Sequence, residues 1–176
     1  MLSSKSFHPE AMHTTLSSAF DLENGMELKL IDRERFLLKF FHILDRDSVL
    51  ERSPWAYDKN LLVLGPMEAT DDSNLVDLNC CDFHIHMHEL PLRKMTKDVA
   101  SFIGNKLGRY KEVDLDSKGK VWGSSICIRV VINITKPLKC TLKIRTMIGD
   151  NGLVTFTYEK LPNFRYLRGC LGHLAR

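Results

Sequence analysis

Pro9 opens a stretch in which Met12, Leu16, Ala19 and Phe20 recur at spacings of three and four, which predicts a helix with one apolar face over about Pro9 to Phe20. Asn24-Gly25 reads as the turn that ends it. Met26 to Ile31 and Arg35 to Phe41 alternate or run apolar on either side of the polar Asp32-Arg33-Glu34, the pattern of a hairpin. A short charged helix over Asp45 to Arg52, with Val49 and Leu50 inward, closes at Ser53 because the residue before Pro54 avoids helical geometry. Leu61 to Leu64 follows as a buried strand.

The polar run Glu68 to Asn79 is the strongest linker candidate. Beyond it Phe83, Ile85 and Met87 share one side of a strand, and Thr96 is placed to cap a helix carrying Val99, Phe102, Ile103 and Leu107, which Gly108 stops. Three strands remain: Ile126 to Ile134, with Ile126, Ile128, Val130, Ile132 and Ile134 on one face, then Leu138 to Met147 and Leu153 to Tyr158. Both halves mix helices with hairpin-linked strands. The expected class is therefore α+β, helices packed on antiparallel sheet, similar to the βαββαβ order of RNA-recognition and ferredoxin-like folds. The expected division is a first half over residues 1–67, a linker over 68–79, a second half over 80–161 and a tail over 162–176.

Charge adds a polarity that hydrophobicity does not show. Residues 1–88 hold 8 basic and 15 acidic side chains, a balance of −7, whereas residues 89–176 hold 17 and 7, or +10. A basic second half suggests contact with a polyanion, unless the acidic half neutralises it internally. At 176 residues, 44% hydrophobic and 27% charged, the chain suits a globular protein burying roughly 70% of its unfolded surface. Its longest apolar run is Leu61 to Leu64, far below the ~20 residues a membrane helix needs. The start lacks an apolar signal segment, and the five cysteines form no Cys-x2-Cys pair, so an intracellular site, nucleus or cytoplasm, is expected rather than secretion.

The strand Leu138 to Met147 carries the clearest candidate chemistry. Lys139, Thr141, Lys143 and Arg145 fall on one face by period-two geometry, opposite Cys140, Leu142 and Ile144. A basic stripe of this kind can neutralise successive phosphates of a single strand, or serve only as a solvated edge. In the tail, Phe164 and Tyr166 beside Arg165 and Arg168 combine stacking rings with phosphate-binding cations. His84, His86 and His88 alternate along one strand downstream of Cys80, Cys81 and Asp82. Imidazoles two apart on a strand can share a metal, but no second carboxylate-bearing motif is placed to make a nucleophile, so they read as an exposed face. Trp55 and Trp122 read as packing anchors. Ser48, Ser124 and Ser125 lack His and Asp partners at catalytic spacing, and Gly104, Gly108, Gly119 and Gly123 match no phosphate loop. A non-enzymatic module is expected.

Several strings in succession, Arg35-Phe-Leu-Leu-Lys-Phe40, Val49-Leu50 with Pro54-Trp55, Leu61 to Leu64, Asp82-Phe83 through His88-Glu-Leu-Pro91, Gly104 to Gly108, Val130 to Leu138 and Tyr158-Glu-Lys-Leu-Pro162, resemble the plant retroelement-encoded domain of unknown function 4283 with its attached CX2CX4HX4C knuckle. The resemblance implies a gag-like nucleic-acid-binding module with an RNA-recognition-like lobe and a zinc-bearing tail. Two departures stand out. Of the apolar strand that members carry before the segment Ser4 to Met12, only Met1-Leu2 is present. In the knuckle frame His173 fits, but Arg165 and Arg168 stand in the places of the first two cysteines and the sequence stops before the fourth ligand. A tetrahedral zinc site takes four thiolate or imidazole ligands, so no cofactor is expected. Members also usually carry tryptophan where His84 stands. The function expected is binding of single-stranded RNA or DNA through Lys139, Lys143, Arg145, Arg165, Tyr166 and Arg168. The alternative is self-assembly, with the acidic half of one copy against the basic half of the next.

Overall fold

The computed structural model describes residues 8–32, 35–67, 76–115, 125–145 and 151–161, with the pairs 164–165 and 170–171. Helix α1 (Pro9–Phe20) has proline at its start and buries Met12, Leu16 and Phe20, one residue per turn. Asp21, at φ 52°, turns the chain out of the helix, and Gly25, at φ 86°, leads into the hairpin of β1 (Met26–Leu30) and β2 (Phe36–Phe40). Helix α2 (Ile43–Glu51) starts two residues before the expected Asp45, because the His42 ring accepts a hydrogen bond from the Leu44 amide and caps it there. Asp45 is buried. Its carboxylate accepts from the backbone amides of Asn24 (3.0 Å) and Glu23 (3.4 Å) and from the Asn24 side chain (3.3 Å), tying the turn after α1 to the start of α2. These donors, the Asn24 amide first among them, hold Asp45 below the usual carboxylate range against the opposing pull of burial.

The expected strand Leu61 to Leu64 is shorter. β3 (Trp55–Tyr57) pairs with β4 (Asn60–Leu62), and Pro54, without an N–H, cannot extend the ladder to Val63 and Leu64. Leu62 enters the first core, with Met12, Leu16, Phe20, Met26 and Val49, while Leu61 and Val63 pack on the second. One short strand thus puts alternate side chains into two cores. Trp55 closes the first core, its ring edge-on to Phe20 at 4.7 Å and its Nε1 donating to the Val49 carbonyl at 2.8 Å.

The second half is built on a five-stranded antiparallel sheet of β5 (Cys80–His88), β6 (Arg109–Val113), β7 (Ser125–Asn133), β8 (Thr141–Arg145) and β9 (Asn151–Tyr158), in the order β6-β7-β5-β9-β8. α3 (Lys97–Leu107), capped by Thr96, carries the chain from β5 to β6 with β7 lying between them, a split β-α-β unit. Phe83, Ile85 and Met87 of β5, Ile126 to Ile132 at every second position of β7, and Val154 and Phe156 of β9 form the core beneath Ala100 and Ile103 of α3. β6 was not legible, since Arg-Tyr-Lys-Glu-Val has two apolar residues and a register shift between Tyr110 and Glu112 breaks its alternation. Phe102, expected on the inner stripe of α3, is 62% exposed with the Lys106 ammonium over its ring. Ala100 and Gly104 face inward instead. A Cβ on Gly104 would lie 2.7 Å from the Tyr110 ring, so the helix sits as close as it does because those side chains are small.

Two cations join the halves. Arg129 of β7 reaches the Leu50 carbonyl at 3.5 Å, and Lys160 donates to the Arg52 carbonyl at 3.0 Å and lies over the Trp55 ring. Both meet the negative end of the α2 dipole. Among the described residues β10 (Phe164–Arg165) and β11 (Cys170–Leu171) form a separate antiparallel pair, and no helix is long and apolar enough to cross a membrane.

Candidate nucleic-acid interface

The alternation that sends Phe83, Ile85 and Met87 inward turns Asp82, His84, His86 and His88 to the face of the sheet away from α3. Register carries this face sideways. His86 stands opposite Cys127 of β7 and Thr157 of β9, and Thr141 and Lys143 of β8 stand opposite Thr155 and Leu153 of β9. Leu142 and Ile144 pack toward the core, so Lys143 is exposed on the same side as the histidines, and Arg145 occupies the next position of that parity.

The β6–β7 side of this face is closed by ion pairs. The Arg129 guanidinium, 12% exposed, meets Asp82 at 3.1 Å and Glu112 at 3.4 Å, Lys111 meets Asp82 at 2.5 Å, and the end of α2 lies against Arg129. The Nε of Arg129 has no hydrogen-bond partner among the described residues. Toward β9, His86 Nε2 lies 2.6 Å from Glu159 Oε1 and His88 Nε2 lies 2.8 Å from Thr157 Oγ1, with the two imidazoles stacked at 6.3 Å and 25°. The Glu159 amide donates to the His84 carbonyl at 2.9 Å, which fixes Glu159 beside β5 one residue past the end of β9. Burial, with Glu159 and Asp114 adding negative charge nearby, pushes the Cys127 thiol up to about 11, and burial followed by Asp82 pushes Cys81 in the core up to about 12. Neither is a thiolate nucleophile at neutral pH.

The structure separates the residues that the sequence placed on one stripe. Lys139 precedes β8, and its ammonium donates to the Lys106 carbonyl at 2.7 Å, at the end of α3 on the other side of the sheet. Its own carbonyl accepts from the Tyr158 hydroxyl at 2.7 Å, a phenol whose pKa burial raises. Lys143 is exposed on the outer side of β8, and Arg145 holds the next register position of the same parity, opposite Asn151. Arg165 lies in β10 opposite Cys170, whereas Tyr166, Arg168 and His173 lie outside the described residues. Sequence reasoning missed Cys127 and Glu159 as neighbours of His86. They stand 41 and 73 positions along the chain, and only the β5–β7 register and the turn after β9 bring them together.

Known proteins bear on this arrangement. An uncharacterized protein of Arabidopsis thaliana, At4g02000, is 26% identical over 118 residues, covering 67% of this chain and 37% of that protein, so the chain spans little more than a third of the relative's length. No solved structure matches. Two segments match family models in order, residues 3–74 a domain of unknown function (DUF4283) and residues 132–176 a zinc knuckle.

Proposed function

We propose that the second half binds single-stranded RNA or DNA without catalysis, chiefly through phosphate charge, as an intracellular module of retroelement, gag-like origin. Zinc knuckles are nucleic-acid-binding modules, and the region matching one begins at Ile132 and includes all of β8. The observation that carries the reading is the outer side of β8, where exposed Lys143 and the position of Arg145 follow one edge of a polar face that includes His86, His88, Thr155 and Thr157. Successive same-side positions on a strand are about 6.6 Å apart, close to the phosphate spacing of an extended single strand. The tail contributes Arg165, Tyr166 and Arg168 as electrostatic and stacking contacts without zinc, because a guanidinium has no lone pair to offer a metal. The test is a titration of the full chain with a mixed-sequence single-stranded oligonucleotide over a salt series. Binding that weakens linearly in log–log coordinates supports the reading, and binding indifferent to salt, or none, overturns it.

A self-assembly reading is favoured by exposed Phe41, Ile43 and Leu44 where β2 meets α2. Light scattering without nucleic acid separates the two: growth with protein concentration supports assembly, and a constant mass at all concentrations rejects it.

A further inference from the structure

We propose that His86, Cys127 and Glu159 form a binding site for a divalent transition-metal ion of the zinc type on the outer face of the sheet. The imidazole, thiol and carboxylate donor atoms all lie within 4.8 Å of one another. In a tetrahedral site with metal–ligand bonds of about 2.0–2.3 Å, donors stand roughly 3.3–3.8 Å apart. Side-chain rotation alone closes the difference, and the present 2.6 Å contact between His86 and Glu159 opens by less than an ångström in doing so.

The scaffold is stiff where the ligands attach. His86 and Cys127 are direct partners across the β5–β7 ladder, each two residues in from the end of a nine-residue strand. The Glu159 backbone is fixed by its amide bond to the His84 carbonyl. Two ligands from paired strands and one from the turn that follows β9, pre-positioned before the ion arrives, lose little entropy on binding. The site is also reachable, since the side chains of His86 and Glu159 are 33% and 42% exposed while Cys127 stands behind them, half-buried.

The donor set selects the ion. Sulfur with imidazole nitrogen favours zinc, cobalt and their neighbours over magnesium and calcium, which take oxygen. Three protein ligands leave a fourth position for water or a further donor. His88 is held by Thr157 and is not required. The inference rests on these three side chains and is independent of the nucleic-acid reading. Its rival is a simple hydrogen bond between His86 and Glu159, which the same 2.6 Å contact satisfies.

The deciding experiment titrates the full-length, metal-free chain with Co2+. We expect one equivalent to bind, with tetrahedral ligand-field bands and a sulfur-to-cobalt charge-transfer band that Zn2+ displaces. Cys127→Ser removes the charge-transfer band. His86→Ala and Glu159→Gln weaken binding by at least roughly 100-fold, since losing a ligand costs no less than losing the group that orients one. Cys170→Ser and His173→Ala, in the tail, leave the spectrum unchanged. A second measurement needs no variant: Zn2+ should protect Cys127 of the wild-type chain from alkylation, read by peptide mass spectrometry. Absence of a charge-transfer band up to millimolar Co2+, its survival in Cys127→Ser, its loss in Cys170→Ser, or alkylation of Cys127 unaffected by Zn2+ each overturns the site.

Discussion

Replacing Lys143 and Arg145 together by glutamine should remove the charge dependence of binding that the sheet provides, and the size of the effect follows from where the two residues stand. Lys143 is exposed on the outer side of β8 and Arg145 holds the next position of that parity. If each meets one phosphate of a single strand, each contributes about −0.7 to the slope of log K against log salt, so the pair contributes about −1.4. At roughly 0.1 M salt the same term amounts to about a 25-fold loss of affinity. Lys139→Gln supplies the internal comparison. Against Lys143→Gln alone the charge removed is identical and the residue is only four positions away, but its ammonium is committed to the Lys106 carbonyl beside α3, so affinity and slope should hardly change. The assay is fluorescence anisotropy with a labelled mixed-sequence oligonucleotide between about 0.05 and 0.3 M salt, with circular dichroism confirming that each variant folds. A slope that survives the double substitution removes β8 from the interface. A Lys139→Gln effect equal to that of Lys143→Gln would show that bulk charge, rather than the face of the sheet, governs binding.

Gly108→Ala should destabilise the second half by about 2–3 kcal/mol, seen as a lower urea midpoint, because a Cβ there would stand 2.2 Å from the Val131 carbonyl oxygen and force β6 off β7 beside the Arg109–Val131 pair; an unchanged midpoint would refute the close approach. Asp45 is held below its unfolded pKa, so its stabilisation is complete above about pH 4 and is lost as pH falls through the depressed folded value. The stability gap between wild type and Asp45→Asn, followed by urea melts, should therefore narrow below that pH, and a constant gap down to pH 2 would reject the role assigned to this carboxylate. Trp55→Phe loses the Nε1 bond to Val49 and weakens the stacking of Arg52 and Lys160 on the ring, for about 1–3 kcal/mol. It should leave oligonucleotide affinity unchanged, and a drop in affinity would make the ring part of the interface.

Where local periodicity was strong, the sequence was enough to place the elements. The four-residue spacing of Met12, Leu16 and Phe20 and the unbroken alternation of Ile126 to Ile132 correspond to α1 and β7 within a residue or two. Where a neighbour decides, it was not. The inner face of α3 follows Ala100 and Gly104 rather than Phe102, since the closeness of Tyr110 and not hydrophobicity selects the contact. Buried Asp45 reads as one more charge in a polar helix until the amides of Glu23 and Asn24 are folded onto it. The outer face of the sheet was half legible. Period-two spacing put His84, His86 and His88 together and put Lys143 with Arg145. The departure of Lys139 toward α3 and the meeting of His86 with Cys127 and Glu159 depend on strand ends and register, which no local pattern encodes.

The division of charge along the chain also takes on a different meaning in three dimensions. An acidic half and a basic half invite the idea that carboxylates of one neutralise cations of the other. Part of that happens inside the sheet, where Asp82 of the acidic stretch meets Arg129 and Lys111 of the basic one and Glu112 adds a second carboxylate to Arg129. Among the described residues, the polar contacts of Arg129 and Lys160 with the first half are of another kind, since both reach main-chain carbonyls at the end of α2. Two of the cations nearest the first half are thus spent on a helix terminus and on local pairs, where partial charges of about half a unit hold them. Lys143 and the position of Arg145 lie at the opposite edge of the sheet, with β9 and β5 between them and β7. The polarity of the sheet therefore runs from a closed, ion-paired side beside the first half to an edge away from it where Lys143 is exposed, and on the proposed function an anionic strand approaching the outer face would meet β8 rather than the ion-paired guanidinium of β7.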